Sequence, residues 1–131
     1  VVQAAPVHEY FQPEWQKKAL ATREYLFELF EARASVYGVS ELDAFLAYGP
    51  KMSLVTSGMI NQPSAPMLLI NGLQDTQVPP EDLFLLMRSG SPKEVWFNPG
   101  GGHMGRTAEL SDQRIFETIT LPWVVRVLRT D

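Results

Sequence analysis

A short apolar run between turn-forming residues does most to limit what this chain can fold into. The run covers residues 67–70, with Pro66 before it and Asn71-Gly72 directly after it. An apolar segment of this length between such boundaries predicts a strand buried on both faces, as in a parallel sheet. Asp75 follows just beyond this strand, and α/β proteins place their chemistry at the carboxyl ends of parallel strands. We therefore expect an α/β fold with a functional site near Asp75.

A second chemically active residue follows one helix signal and one strand signal later. His103 comes directly after glycines 100–102, and glycines allow unusual backbone torsions and the close approach of a ligand. The strand signal is residues 93–98, where Val95-Trp96-Phe97 has strong β character. An acid after one strand and a histidine after the next is the order of the last two members of a Ser-Asp-His hydrolase triad. Asp75 would orient His103, which would act as general base and then as general acid.

The chain has no serine in a nucleophile elbow, because no Gly-x-Ser-x-Gly sequence occurs in it. A metal site formed by His8, Asp75 and His103 is an alternative, but the histidines lack the spacing of common metal motifs. Asp82 competes with Asp75 for the role of the acid. It lies in the first turn of a predicted helix, however, where the helix dipole alone accounts for a carboxylate. We therefore predict neither a metal ion nor another cofactor.

Composition and charge disfavour several classes of function. A net charge of -4 and a pI near 5.1 argue against nucleic-acid or anionic-membrane partners, since both need a basic face. No apolar run reaches the roughly 18 residues of a transmembrane helix. The start of the chain has neither an initiator Met nor the basic region of a signal peptide, so we expect the natural N-terminus to lie upstream or to have been removed. The absence of cysteine excludes disulfides and fits a cytoplasmic protein.

The chain divides into three predicted segments. Residues 1–6 are predicted to be the end of a core strand, residues 7–65 a helical cap inserted into the core, and residues 66–131 the C-terminal part of that core. Three strands cannot by themselves cover both faces and the open edge of a parallel sheet. We therefore expect the chain to be the C-terminal part of a larger α/β unit, with the remaining strands supplied by another segment.

Helix signals set the expected boundaries within these segments. Residues 13–38 carry apolar side chains at helical spacing and predict one long helix that begins at a proline and ends at a glycine. Residues 40–50 predict a shorter helix, opened by a serine and ended by Gly-Pro. A last helix, capped by Ser111 or Asp112, is expected to bury Phe116 and to be kinked or broken by Pro122.

A polar and aromatic group follows the first predicted strand. It consists of His8, Glu9, Tyr10, Phe11 and Trp15. One interpretation is that these residues form a wall of the substrate pocket, with His8 and Glu9 on the side that binds the acyl group. The other is that they pack the cap against the core, and for Trp15 itself this second interpretation is favoured.

Several stretches of the chain resemble one group of α/β-hydrolases. They are Pro66 to Gly72 with Asp75 and Val78-Pro79, Pro92 to Trp96, Gly101 to Arg106, and Val7 to Trp15. The group is the fungal pigment hydrolases that shorten a heptaketide naphthopyrone in melanin biosynthesis. These enzymes are relatives of the fermentation-respiration switch esterases and the pseudooxynicotine C–C hydrolases. The resemblance covers essentially the whole chain, which corresponds to the C-terminal part of such an enzyme.

This resemblance implies a reaction and a set of roles. Asp75 and His103 would be the acid and the base of the triad, with Met104 among the residues that contact the substrate. The nucleophilic serine and the oxyanion hole would lie upstream of this chain, on the N-terminal segment of the same polypeptide. The reaction would be a retro-Claisen cleavage of a C–C bond in a polyketide pyrone, releasing a short acyl group. The resemblance also implies a homodimer whose cap contributes to the pocket, and this chain alone would be inactive.

Two other functions remain open at this point. The same fold could hydrolyse an ordinary carboxylester, because the aromatic residues favour a flat aromatic substrate only weakly. A non-catalytic interaction fragment would keep Asp75 and His103 as relics of an enzyme. The hydrolase interpretation predicts that the open sheet edge is covered by a segment that carries a serine elbow.

Overall fold

The apolar run of residues 67–70 lies in the central strand of a parallel sheet. The computed structural model describes residues 1–21, 29–91 and 93–129. Within these residues three strands pair in the order β1 (Val2–Gln3), β2 (Met67–Gly72) and β3 (Lys93–Asn98), all parallel. Leu69 and Ile70 are completely buried. The α/β class, a strand near the start of the chain and the buried central strand are therefore confirmed.

Helices connect the strands and follow the last one. The described helices are α1 (Pro13–Ala21), α2 (Leu29–Val36) and α3 (Leu42–Met52) between β1 and β2, α4 (Pro80–Met87) between β2 and β3, and α5 (Asp112–Ile115) and α6 (Leu121–Leu128) after β3. A π-helical segment, Phe116–Thr120, joins α5 to α6. Single 3-10 turns occur at Glu9–Phe11, Met59–Asn61 and His103–Gly105. No described helix combines the length and the apolar character that crossing a membrane would require.

The two faces of the sheet are covered by different helices. Leu69 packs on one face against Leu83 of α4, together with Val7 and Ile60 from the segment between β1 and β2. On the other face Leu68 and Ile70 pack against Ile115 of α5 and Trp123 of α6. This division follows from the strand geometry, since successive side chains of β2 point to opposite faces. Of the three described strands only β2 is buried along nearly its whole length.

The helices between β1 and β2 match the prediction at Pro13 and Gly38 but not at the end of α3. α1 begins at Pro13, and Gly38 adopts φ of +70° just after α2, as a helix stop requires. The prediction of one long helix over residues 13–38 depends on residues 22–28, which lie outside the described residues. The predicted end of α3 at Gly49-Pro50 is wrong, because α3 continues to Met52. Gly49 serves packing instead: a Cβ at this position would lie 2.8 Å from the carbonyl oxygen of Phe11.

The last helix was predicted correctly at its start but not in its course. Ser111 caps α5 by accepting a hydrogen bond from the amide of Arg114, at 3.3 Å. Pro122 does not break the helix, because the π-helical segment precedes it and α6 continues to Leu128. Phe116 is the first residue of that segment and directly follows the buried Ile115, so its side chain points to a different side of the helix. Phe116, expected to be buried, is 53% exposed.

Candidate active site

The structure brings Asp75 and His103 together at the carboxyl edge of the sheet. Asp75 follows β2 and His103 follows β3, and Nδ1 of the imidazole lies 3.1 Å from Oδ2 of the carboxylate. The Asp75 side chain is fully buried, whereas 20% of the His103 side chain is exposed. An ionised Asp75 can only accept, so Nδ1–H donates and Nε2 carries the lone pair of the neutral ring. Nε2 makes no hydrogen bond to any residue that the structure describes.

The Asp75 carboxylate also fixes its own loop. Its Oδ1 accepts hydrogen bonds from the backbone amides of Gln77, at 2.8 Å, and Val78, at 3.1 Å. Burial by itself raises the pKa of Asp75, but the hydrogen bonds from His103 and from the two amides outweigh this effect and lower the pKa below its ordinary value. Asp75 is therefore held ionised and in one orientation toward the imidazole.

Close backbone packing sets the distance between the two loops. The amide of Gln74 donates to the carbonyl of Gly101 at 2.9 Å, and the amide of Leu73 donates to the carbonyl of Asn98 at 3.0 Å. Gly72 lies so near the glycine loop that a Cβ on it would approach the Gly101 carbonyl oxygen to 2.0 Å. Only glycine fits there, so the loop that leads to His103 can lie directly on the end of β2.

A second buried carboxylate holds the segment that was predicted to form a pocket wall. Asp82 of α4 is fully buried and accepts hydrogen bonds from four consecutive backbone amides, those of Val7, His8, Glu9 and Tyr10, at 2.6–3.1 Å. Burial raises the pKa of Asp82 above its ordinary value, and the hydrogen bonds from these amides act in the opposite direction.

The helix dipole is therefore not a sufficient account of Asp82, and this role was missed in the sequence. A signal for it does exist. Asp82 lies four residues before the buried Leu86 and next to the buried Leu83, on the face of α4 that enters the core.

The predicted substrate-binding residues separate into a cleft wall and a core group. His8, Glu9 and Trp15 line a cleft of about 540 Å³, together with Gln12, Glu14, Lys18, Pro79 and Glu81. An adjoining cleft of about 320 Å³ reaches Asp75 and shares Trp15 with the first. Tyr10, at 3% exposure, lies instead in a small core cluster, against which Phe11, Trp15 and Met104 pack. The structure thus brings Met104, beside His103, into one cluster with the aromatic group.

The second histidine belongs to a different arrangement. Nδ1 of His8 lies 2.7 Å from the hydroxyl of Ser53, which is 1% exposed and also accepts a hydrogen bond from the amide of Thr56. This serine caps a turn and is closed to solvent, so it is not placed as a nucleophile. Among the described residues, no three His, Asp or Glu side chains form a group that could hold a metal ion. His8 therefore does not share a site with Asp75 and His103.

No protein-family model matches this chain, and no curated protein matches it significantly. The resemblance to the pigment hydrolases thus stays a prediction from the quoted motifs. Of those motifs, Pro92 lies outside the described residues. The geometry of Asp75 and His103 is independent of the resemblance and stands on the structure alone.

The close packing of Gly72 gives a direct test of how the His103 loop is held. Gly72→Ala should destabilise the protein by about 1–3 kcal/mol, as overpacking typically does, and should displace residues 101–103. Gly100→Ala is the matched control, because a Cβ there meets no atom within 4 Å. It should change the unfolding free energy by less than about 0.5 kcal/mol. Equal effects of the two substitutions in urea denaturation would contradict the packing described here.

The lowered pKa of Asp75 predicts a pH-dependent contribution to stability. Because the carboxyl binds protons less readily in the folded state, its contribution is complete above the ordinary pKa of about 3.8 and is lost as the pH falls through the lower folded value. The stability difference between wild type and Asp75→Asn should therefore be largest at neutral pH and should shrink below about pH 4. Asp43→Asn, at an exposed acid of α3, should differ from wild type by at most about 1 kcal/mol. A difference for Asp75→Asn that does not vary with pH would contradict the assignment.

Proposed function

We propose that this chain supplies the acid and the base of a serine hydrolase with an α/β-hydrolase fold. The observation that carries the proposal is the bond from His103 Nδ1 to the buried Asp75 carboxylate, which leaves Nε2 without a partner among the described residues. Two further observations support it. The residues follow adjacent parallel strands, β2 and β3, at the edge where such folds place catalytic groups. His103 also remains partly exposed, so a reacting group can reach it.

His103 would move the protons of the reaction. Its Nε2 takes the proton from the hydroxyl of the nucleophilic serine as the oxygen attacks the carbonyl carbon of the substrate. Asp75 keeps the proton of Nδ1 in place and stabilises the imidazolium that forms. The imidazolium then returns the proton to the leaving group. A water molecule, deprotonated in turn by His103, hydrolyses the acyl-enzyme.

The nucleophile is proposed to come from a segment of the same polypeptide outside these 131 residues. No described serine forms a hydrogen bond with His103, and Ser53, the serine that does contact a histidine, is buried. The backbone amides of the oxyanion hole would come from the same segment, since one of them follows the nucleophile in a serine elbow. A pairing of that segment with the outer edge of β1 would continue the parallel sheet.

The proposed substrate is an aromatic polyketide ketone, and the proposed reaction is a retro-Claisen cleavage. Attack on a side-chain ketone gives a tetrahedral oxyanion, whose collapse breaks the C–C bond. The carbon leaving group departs with the proton from His103, and water releases the short acyl group as an acid. Trp15, which lines both clefts, and Met104, beside His103, provide apolar surface for a flat ring. A homodimer whose cap contributes to the pocket is part of this proposal.

Covalent labelling by a fluorophosphonate probe tests the triad assignment. In the full-length protein, His103→Gln and Asp75→Asn should each lower the labelling rate of the serine by about 10²–10⁴-fold, because the serine loses its general base or the base loses its orientation. Asp43→Asn, which removes an exposed acid far along the chain, should label at the wild-type rate. Wild-type labelling of His103→Gln would refute the proposal. A protein that is never labelled would favour the non-catalytic interaction fragment.

Competing substrates separate the C–C hydrolase from an ordinary carboxylester hydrolase. An acyl naphthopyrone and a naphthyl ester with the same acyl group should both be offered, and the released acid identified by mass spectrometry. A C–C hydrolase cleaves the ketone, whereas an esterase turns over only the ester. Trp15→Ala should raise KM for the naphthopyrone by about tenfold, in line with the loss of a large aromatic contact, and change KM for a small aliphatic ester little. Release of acid from the ester alone would establish the alternative.

A further inference from the structure

The turn that carries His103 has a backbone conformation that needs outside support. Met104, the next residue, has φ of +63°, in the left-handed region that residues with a side chain seldom adopt. Gly105 follows with φ of +85°. Such a conformation costs free energy and persists only where neighbouring groups fix it. The position of the imidazole therefore depends on whatever holds the Met104 peptide groups.

Two side chains from the other strands hold those peptide groups. Oδ1 of Asn71 accepts a hydrogen bond from the amide of Met104 at 3.0 Å, and Nε2 of Gln3 donates to the carbonyl of Met104 at 3.1 Å. Asn71 belongs to β2 and is fully buried, while Gln3 belongs to β1 and is partly buried. Groups from β1 and β2 thus fix the turn that follows β3.

Asn71 lies close to the acid as well. Its Nδ2 is buried without a hydrogen-bond partner among the described residues, yet its amide contributes to lowering the pKa of Asp75. An unpaired buried amide nitrogen is costly, and an apolar residue would avoid the cost. A polar side chain at position 71 is explained if it holds the turn that carries His103.

We propose that Asn71 is a positioning residue for His103, acting through the Met104 peptide, with Gln3 as the second support. This inference rests on the proposed function, because it takes His103 as the catalytic base. Asn71 holds the amide of Met104 and Gln3 holds its carbonyl, so that the imidazole keeps Nδ1 on Asp75 and Nε2 toward the substrate. Asn71 itself contacts none of the reacting atoms.

Asn71→Leu in the full-length protein tests this role, since leucine has a similar volume and cannot accept the hydrogen bond from the Met104 amide. The His103 imidazole is followed by NMR, through the Nδ1 proton resonance and the pH titration of the ring, which needs no substrate. Hydrolysis of an aryl ester gives kcat and KM. We expect the resonance and the titration midpoint to shift, and kcat to fall by about 10- to 100-fold with KM nearly unchanged, as for a misplaced catalytic group. Ile70→Val, at the buried neighbour in β2, should change none of these quantities.

A second variant keeps the test decisive if Asn71→Leu does not fold. Gln3→Met removes a hydrogen bond at a partly buried position and should shift the same His103 signals, with a smaller loss of kcat. Wild-type signals and wild-type kcat in whichever variant folds would overturn the proposal. A shift of the His103 signals in a protein that hydrolyses nothing would uphold the positioning role and remove the proposed function instead.

Discussion

The candidate site and the segment after β1 depend on two buried carboxylates, Asp75 and Asp82, which accept most of their hydrogen bonds from backbone amides. Within the described residues, neither Asp75 nor Asp82 has a lysine or arginine partner. Two amides bond to Asp75 and four bond to Asp82. A hydrogen bond to a charged group contributes about 1.5–3 kcal/mol, and loss of the acceptor would leave several buried donors unpaired. The segment from Asp75 to Asp82 therefore links the candidate site to residues 7–10, which follow β1 in the chain.

The parallel sheet explains why few residues suffice to build this site. Parallel strands deliver their carboxyl ends to one edge, so the loops after β2 and β3 meet there whatever the course of the connecting helix. The separation of the two loops is then set by Gly72, whose missing side chain admits the Gly101 carbonyl. Fine positioning of His103 falls to Met104 and the groups that hold it. The same features would serve any reaction that needs an oriented imidazole, so under the proposed function the choice of substrate would depend on the cleft beside Trp15.

The sequence correctly predicted those features of the fold that are caused by neighbouring residues in the chain. The apolar run of β2, Pro13 at a helix start and Ser111 at a helix cap act on their own neighbours. The contact between Asp75 and His103 could be predicted from the order of the strands, because parallel strands end at the same edge of the sheet. Features set by distant contacts were misjudged or missed. Gly49 looks like a helix stop but packs against Phe11, Phe116 is exposed at the start of a π segment, and the partners of Asp82 lie more than 70 residues away.

The two histidines differ in the groups that lie on each side of the ring. Nδ1 of His8 contacts a hydroxyl, Ser53, and its Nε2 lies 3.5 Å from the Gln12 amide, so both nitrogens face neutral groups of the cap. His103 has a buried carboxylate on Nδ1 and no described partner on Nε2. Only an ionised acid behind the ring stabilises the imidazolium that proton transfer creates, and only an unoccupied nitrogen can accept the proton. The proposed proton transfer therefore falls to His103, whereas His8 lines the wall of the cleft.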